Sequence, residues 1–260
     1  MRIARFAKGD GVAYGVVEGA GSGVTVAELH GHPFGVDPGG VRLTGHRYPL
    51  AEVRLLAPVL PSKVVGAGRN YPAHAQEMNG EPPAEPVLFL KPSTSVTGPG
   101  DAIKYPVKIT ERVDFEGELA VIIGRLCHGV PRERADEVIF GYTCANDVTA
   151  RDLQARDGQW TRAKGFDSFC PLGPWIETDL DPADLGIECL VNGQVRQSAR
   201  TKDMLHPVAE LVSYVSAVMT LLPGDVLLTG TPEGVGRIGD GDVVEVAIQG
   251  VGTLRNRVSA

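Results

Sequence analysis

The sequence predicts a β-rich α+β fold with a few helices, and three observations carry that expectation. Its 33 glycines and 19 prolines make up a fifth of the 260 residues, without a repeat period, so the chain turns often. Its apolar residues fall in short β-branched runs, among them "VRLLAPVL", "KVVGAG", "VLFL", "ELAVIIG", "DVLLTG" and "DVVEVAI". A three- and four-residue apolar step marks "TKDMLHPVAELVSYVSAVMTLL", where Leu205, Val208, Leu211, Val212, Val215 and Met219 recur as the buried stripe of an amphipathic helix.

Residues 1 to about 57 alternate in short segments broken by Gly, Asp and Pro, which reads as a small N-terminal β module. The prolines of "LAPVLPSKVVGAGRN" place a boundary near Pro58, giving an N-terminal domain over 1–58 and a second domain over 59–260. Residues 70–86, "NYPAHAQEMNGEPPAEP", form a polar, Pro- and Gly-rich loop with helical turns in its first half, suited to closing over a site. "PRERADE", residues 131–137, opens on Pro and reads as a short helix before the strand-like "VIFGYTCAND". The last third, from "PGDVLLTG" onward, alternates strands with Gly-Asp turns and reads as antiparallel β.

A hydrophobic content of 43% allows a substantial core. The formal net charge of −7, without any Lys/Arg-rich run, argues against nucleic acid as a partner. No apolar run approaches the roughly 18 residues of a membrane span, and the N-terminus lacks a secretory apolar core, so a cytoplasmic, non-membrane protein is expected. Cys127, Cys144, Cys170 and Cys189 show no C-x-x-C spacing and read as reduced core thiols.

The chemistry concentrates after residue 60. In "VDFEGELAVIIG", Glu116 and Glu118 stand two apart, hence on one face of an extended strand, and Asp147 ends the apolar run "FGYTCAN". Buried carboxylates need a cation or several donors. A divalent ion on three oxygens meets that need, and a donor set without His or Cys favours Mg²⁺, Mn²⁺ or Ca²⁺ over Zn²⁺. The spacing is also met by solvated strand-end acids paired with Arg112 or Arg151.

His74 and Glu77 lie three apart, so one helical turn would place imidazole and carboxylate together as a base, or else as an exposed loop pair. Arg151 and Gln154 follow Asp147 within two turns. They suit a substrate carboxylate, although Arg151 and Asp147 would equally make a local ion pair. Lys164 is the only lysine between Lys108 and Lys202; buried near a metal it would stabilise an enolate oxygen, and at the surface it would do nothing. "LLTGTPEGVG" sets Thr229 and Thr231 around Gly230 as an anion cradle or a plain Gly-rich turn.

The segments "GAGRNYPAHAQEM", "VLFLKP", "VDFEGELAVIIG", "GYTCANDVTARDLQ", "AKGFDSFCPLGPW", "VNGQVRQ" and "PGDVLLTGTPEGVG", in this order over roughly residues 60 to 258, closely resemble the fumarylacetoacetate hydrolase family. The resemblance implies a mixed β-sandwich roll, a homodimer, and one Mg²⁺ or Mn²⁺ per active site. It places the metal ligands on Glu116, Glu118 and Asp147, and the lid dyad on His74 and Glu77. The substrate contacts fall on Arg151, Gln154 and Thr231, and the active-site lysine on Lys164. Larger family members carry a further acid before the His, where this chain has Ala67; it is similar to the smaller bacterial, acylpyruvase-like branch.

The implied activity is hydrolysis of a carbon–carbon bond in an acylpyruvate-like 2,4-dioxo acid through a metal-chelated enolate, with water activated by the His–Glu dyad. The alternative is an isomerase or decarboxylase acting on 2-hydroxyhepta-2,4-diene-1,7-dioate or a related β-keto acid.

Overall fold

The computed structural model describes residues 1–9, 11–34, 40–78 and 80–260. Its largest sheet runs Leu43–Pro49, Thr25–Leu29, Gly11–Glu18, Arg2–Lys8, Cys170–Glu177, Ile139–Asn146, Gly117–Ile123, Val226–Leu228, Val64–Gly68, Val87–Lys91. A second sheet joins Gln194–Arg200, Gly186–Val191, Val243–Ile248, Gly252–Ser259 and Ala102–Lys104; a third, small one joins Thr149–Ala150, Val113–Phe115 and Gly236–Ile238. The fold is β-rich with few helices, as the sequence predicts.

The centre of the large sheet is Gly117–Ile123, every residue of which is buried. A strand covered on both faces reads as a continuous apolar run, and "ELAVIIG" is one. Its alternation splits the interior in two. Leu119, Val121 and Ile123 join a core with Val212, Val215, Ile187 and Val246, whereas Ala120 and Ile122 pack with Ile3, Val59, Leu172 and Ile176. Each such large aliphatic side chain contributes roughly 1.5–3 kcal/mol by leaving water.

The N-terminal strands do not close into a sheet of their own. Arg2–Lys8 pairs with Cys170–Glu177, with Arg2 opposite Glu177 and Ile3 opposite Ile176, so the sheet continues from one expected domain into the other. The C-terminal hairpin of Val243–Ile248 and Gly252–Ser259 is antiparallel as expected, but Gly252–Ser259 also takes Ala102–Lys104 as a parallel neighbour.

The amphipathic stretch forms a helix over Val208–Val218 that buries Val208, Leu211, Val212 and Val215. Leu205 and Met219, part of the expected stripe, fall outside it. Pro207, extended at ψ 161°, is the N-cap, and Met219 is extended at φ −147°. "PRERADE" becomes a 3₁₀ helix, Arg132–Val138, displaced by one residue. In the loop 70–86 the helix spans Pro72–Glu77, with Pro at its first turn. The four cysteines are free and buried, and burial pushes the Cys144 and Cys170 thiols up to about 12.

Candidate active site

Strand register builds the acidic cluster. Gly117 pairs with Asn146 and Glu118 with Ala145, so the residues just beyond, Glu116 and Asp147, face each other across the two strand ends. The Asp147 N–H donates to the Glu116 carbonyl at 2.8 Å, and the Glu116 N–H donates to Asn146 Oδ1 at 3.0 Å, fixing both backbones. Glu118, two residues along, returns to the same face. The result is three buried carboxylates with ligand oxygens within 4.8 Å of one another. They are not solvated strand-end acids: relative exposures of 3%, 2% and 0% for Glu116, Glu118 and Asp147 exclude that reading.

Three cations answer the three acids, but unevenly. Lys164 Nζ donates to Glu116 Oε2 at 2.8 Å, to Asp147 Oδ2 and to Thr149 Oγ1. Lys91 Nζ donates to Asp147 Oδ1. Arg151 donates through Nη2 to Glu116 Oε1 at 2.6 Å, through Nε to Asp114 Oδ2 at 3.0 Å and through Nη1 to Gln154 Oε1 at 2.7 Å. Asp147 is therefore not the partner of Arg151, and Arg112 pairs with Asp114 instead of the cluster.

Glu118 receives none of these cations. Among the described residues, its Oε2 accepts only the Gly230 N–H, at 2.6 Å. Gly230 reaches it at φ +97°, where an added Cβ would stand 2.7 Å from Asn70 Cβ, so only glycine fits that turn.

The electrostatic consequences differ by residue. Burial pushes Glu116 upward, but Lys164 and Arg151 outweigh it and hold its carboxyl well below the usual carboxylate range. Burial, then Asp147 and Glu116, push the Glu118 carboxyl well above that range. An all-oxygen donor set with one uncompensated buried carboxylate fits a hard divalent cation bound by Glu116, Glu118 and Asp147. The same partners act on Lys164: desolvation lowers its pKa, and Asp147 and Glu116 more than restore it, so the ammonium stays charged.

The loop helix delivers the dyad. His74 Nδ1 lies 3.1 Å from Glu77 Oε2, and Glu77 Oε1 accepts the Gly234 N–H at 3.0 Å. His74 is 5% exposed and Glu77 is exposed, so the imidazole of the pair is buried and its carboxylate is not. His74, the acids, Arg151, Gln154, Lys164 and Thr231 all line one cavity of about 350 Å³, which Arg69, Met78, Phe89 and Trp160 also line. The Thr231 hydroxyl donates to the Gly117 carbonyl at 2.9 Å and accepts from Gln197 Nε2 at 2.8 Å, so its proton is already engaged. Thr229 likewise donates to the Leu119 carbonyl and supports the turn from behind.

Reasoning from sequence missed Lys91, Asp114, Arg69 and Trp160. Lys91 had a signal, a lone charge closing the apolar run "VLFL", where a buried ammonium needs an acid. Asp114 precedes the two glutamates in a strand whose residues Val113, Asp114 and Phe115 are all buried.

Comparison with known proteins agrees with this architecture. Residues 63–259 match the family described as Fumarylacetoacetate (FAA) hydrolase C-terminal, and residues 1–58 match one described as Rv2993c-like, N-terminal. Protein Rv2993c of Mycobacterium tuberculosis is 54% identical over 264 residues, covering 99% of this chain and 98% of that protein. The crystal structure of 5-carboxymethyl-2-hydroxymuconate delta-isomerase from Mycobacterium smegmatis superposes with a TM-score of 0.93 at 54% identity, over 100% of this chain and 99% of that one. Oxaloacetate tautomerase YisK of Bacillus subtilis is 41% identical over 225 residues, 81% of this chain and 75% of that protein. With its acidic cluster, its dyad and these matches, the chain belongs to the fumarylacetoacetate hydrolase family of enzymes.

Proposed function

We propose that the chain is a divalent-metal-dependent enzyme that hydrolyses a carbon–carbon bond in a small acylpyruvate-like 2,4-dioxo acid. The observation behind this reading is the buried His74, held by Glu77 at 3.1 Å and lining the same cavity as the three carboxylates. A bound Mg²⁺ or Mn²⁺ on Glu116, Glu118 and Asp147 supplies positive charge for the oxygens of the oxo-acid end.

The chain's own groups do the rest. Glu77, anchored by Gly234, holds Nδ1 of His74 and leaves Nε2 to take a proton from water. The water oxygen bonds to the distal carbonyl carbon. The bond between that carbon and C3 breaks, its electron pair leaving as the enolate of pyruvate, and the proton held by His74 returns to C3. Lys164 places an ammonium beside the oxo-acid end, and Arg151, which donates to Gln154, sets a guanidinium in the same cavity wall.

A second reading is supported by the names of two relatives, an isomerase and an oxaloacetate tautomerase. There His74 moves a proton between carbon and oxygen of one substrate and no carbon–carbon bond breaks. Mg²⁺-loaded protein mixed with acetylpyruvate and with fumarylpyruvate separates the two. Loss of the diketo absorbance with release of pyruvate is expected; ketonisation of enol-oxaloacetate without any loss of diketo absorbance would overturn the hydrolytic reading.

A further inference from the structure

The cavity carries three cationic side chains, and two of them are spoken for. Lys164 is bound to Glu116 and Asp147, and Arg151 to Asp114 and Glu116. Arg69, at the exposed rim, makes no ion pair and no side-chain hydrogen bond among the described residues. It also borders a neighbouring hollow lined by Phe89, Leu90 and Trp160, so it stands where the tail of a ligand would leave the acidic cluster.

The backbone is bent to put it there. Arg69 has φ 58°, a left-handed conformation that a residue with a Cβ keeps only where its surroundings enforce it. They do: the next residue, Asn70, is 1% exposed, donates to the carbonyls of His206 and Thr229 at 3.0 and 2.7 Å, and accepts the His206 N–H at 2.8 Å. The guanidinium in turn lies against Gly80, whose N–H donates to the Ala75 carbonyl of the loop helix at 2.9 Å, since a Cβ on Gly80 would stand 3.1 Å from Arg69 Nη1. A solvated surface arginine needs none of this.

We propose that Arg69 is the specificity residue of the cavity, reading the far carboxylate of a dicarboxylic 2-oxo acid whose oxo-acid end lies at Glu116, Glu118 and Asp147. The inference rests on the oxo-acid reading above and adds the substrate class. A planar guanidinium with every N–H available suits a carboxylate bidentately, whereas a neutral acyl tail would leave it unanswered. Because the rim is open to water, the preference is modest, about 10-fold, and not the larger factor of a buried pair.

The test uses Mg²⁺-loaded full-length protein and two ligand pairs that differ only in the far group: 2-oxoglutarate with 2-oxovalerate, and oxaloacetate with 2-oxobutyrate. Dissociation constants come from calorimetry, so turnover is not needed to read the result. Wild type is expected to bind the dicarboxylic member about 10-fold tighter in at least one pair. Arg69→Gln is expected to bring the ratio within about twofold while leaving the affinity for the monocarboxylic member unchanged, and Arg69→Lys to keep part of it. Arg69→Asn, which tolerates the left-handed backbone, repeats the measurement in a variant free of that strain.

A ratio near one in wild type, or a ratio that survives both Arg69→Gln and Arg69→Asn, would overturn the proposal. A preference that Arg69→Gln abolishes supports it even if no dicarboxylic substrate is turned over, a result that would remove only the reaction assigned above.

Discussion

Replacing each of the two neighbouring glutamates by glutamine tests the electrostatic account of the site, because the structure predicts opposite outcomes for chemically identical changes. Glu116 holds Arg151 at 2.6 Å and Lys164 at 2.8 Å, all three side chains at most 10% exposed. Removing its charge leaves two buried cations short of a partner. The usual loss for breaking a buried pair is about 3–5 kcal/mol, and the low end applies because Lys164 keeps Asp147 and Arg151 keeps Asp114. For a chain of this size that lowers the melting temperature by roughly 6–12 °C.

Among the described residues Glu118 has no cation partner, only the Gly230 N–H, which a glutamine oxygen accepts equally well. Its Gln variant should melt within about 1 kcal/mol of wild type in EDTA, or slightly above it, since a carboxyl already driven toward neutrality by burial, Asp147 and Glu116 is replaced by a neutral group. Excess Mg²⁺ or Mn²⁺ at about 100 times its dissociation constant should stabilise wild type by about 2.7 kcal/mol and the Glu118 variant hardly at all.

Differential scanning calorimetry with and without EDTA reads both effects. If Glu118→Gln lowered the metal-free melting temperature as far as Glu116→Gln does, Glu118 would have a compensating partner and the metal-site argument would fail. The pH dependence has a definite sign: a carboxyl whose folded pKa is raised binds its proton more tightly in the folded state. Metal-free stability therefore declines as pH rises from the unfolded value near 4.5 toward the folded one, and Glu118→Gln removes that decline.

Three further outcomes follow from the same geometry. His74→Gln should cost about 10²- to 10⁴-fold in kcat with the Mg²⁺-induced melting shift retained; loss of the shift would place His74 at the metal and not at the proton. Lys91→Met leaves Asp147 with Lys164 alone, so the metal-free protein should lose about 2–3 kcal/mol while its stabilisation by Mg²⁺ grows, as calorimetry at several Mg²⁺ concentrations would show. Asp225, fully buried, accepts from Ser62 N and Oγ, Lys63 N and Nζ, and Leu222 N. These bonds overcome the upward push of burial and lower its pKa, so its contribution is present above about pH 4 and is lost as pH falls below that. Asp225→Asn should cost about 2–3 kcal/mol at pH 7 and progressively less in acid, measured by urea denaturation.

Local periodicity and chemistry settle much of this protein. The apolar run of residues 119–123 could only be a strand covered on both faces, and two glutamates two apart at its start had to share one. A histidine and a glutamate three apart share one side of a helical turn, and here they meet at 3.1 Å. These are properties of neighbours along the chain, which backbone geometry alone fixes.

Partners far apart in sequence are another matter. Lys91 reaches Asp147 across 56 residues and Gly230 reaches Glu118 across 112, and no spacing rule encodes such pairs. Nor does one foretell that Arg151 would brace Asp114 and Glu116, that Thr231 would spend its proton on Gly117, or that Arg2–Lys8 would extend the large sheet beside Cys170–Glu177. The residue types determined that a charge cluster had to be neutralised. Only the register of strands, chosen by how the two cores pack around Gly117–Ile123, decided which acid was left without a cation and which three carboxylates could hold a metal.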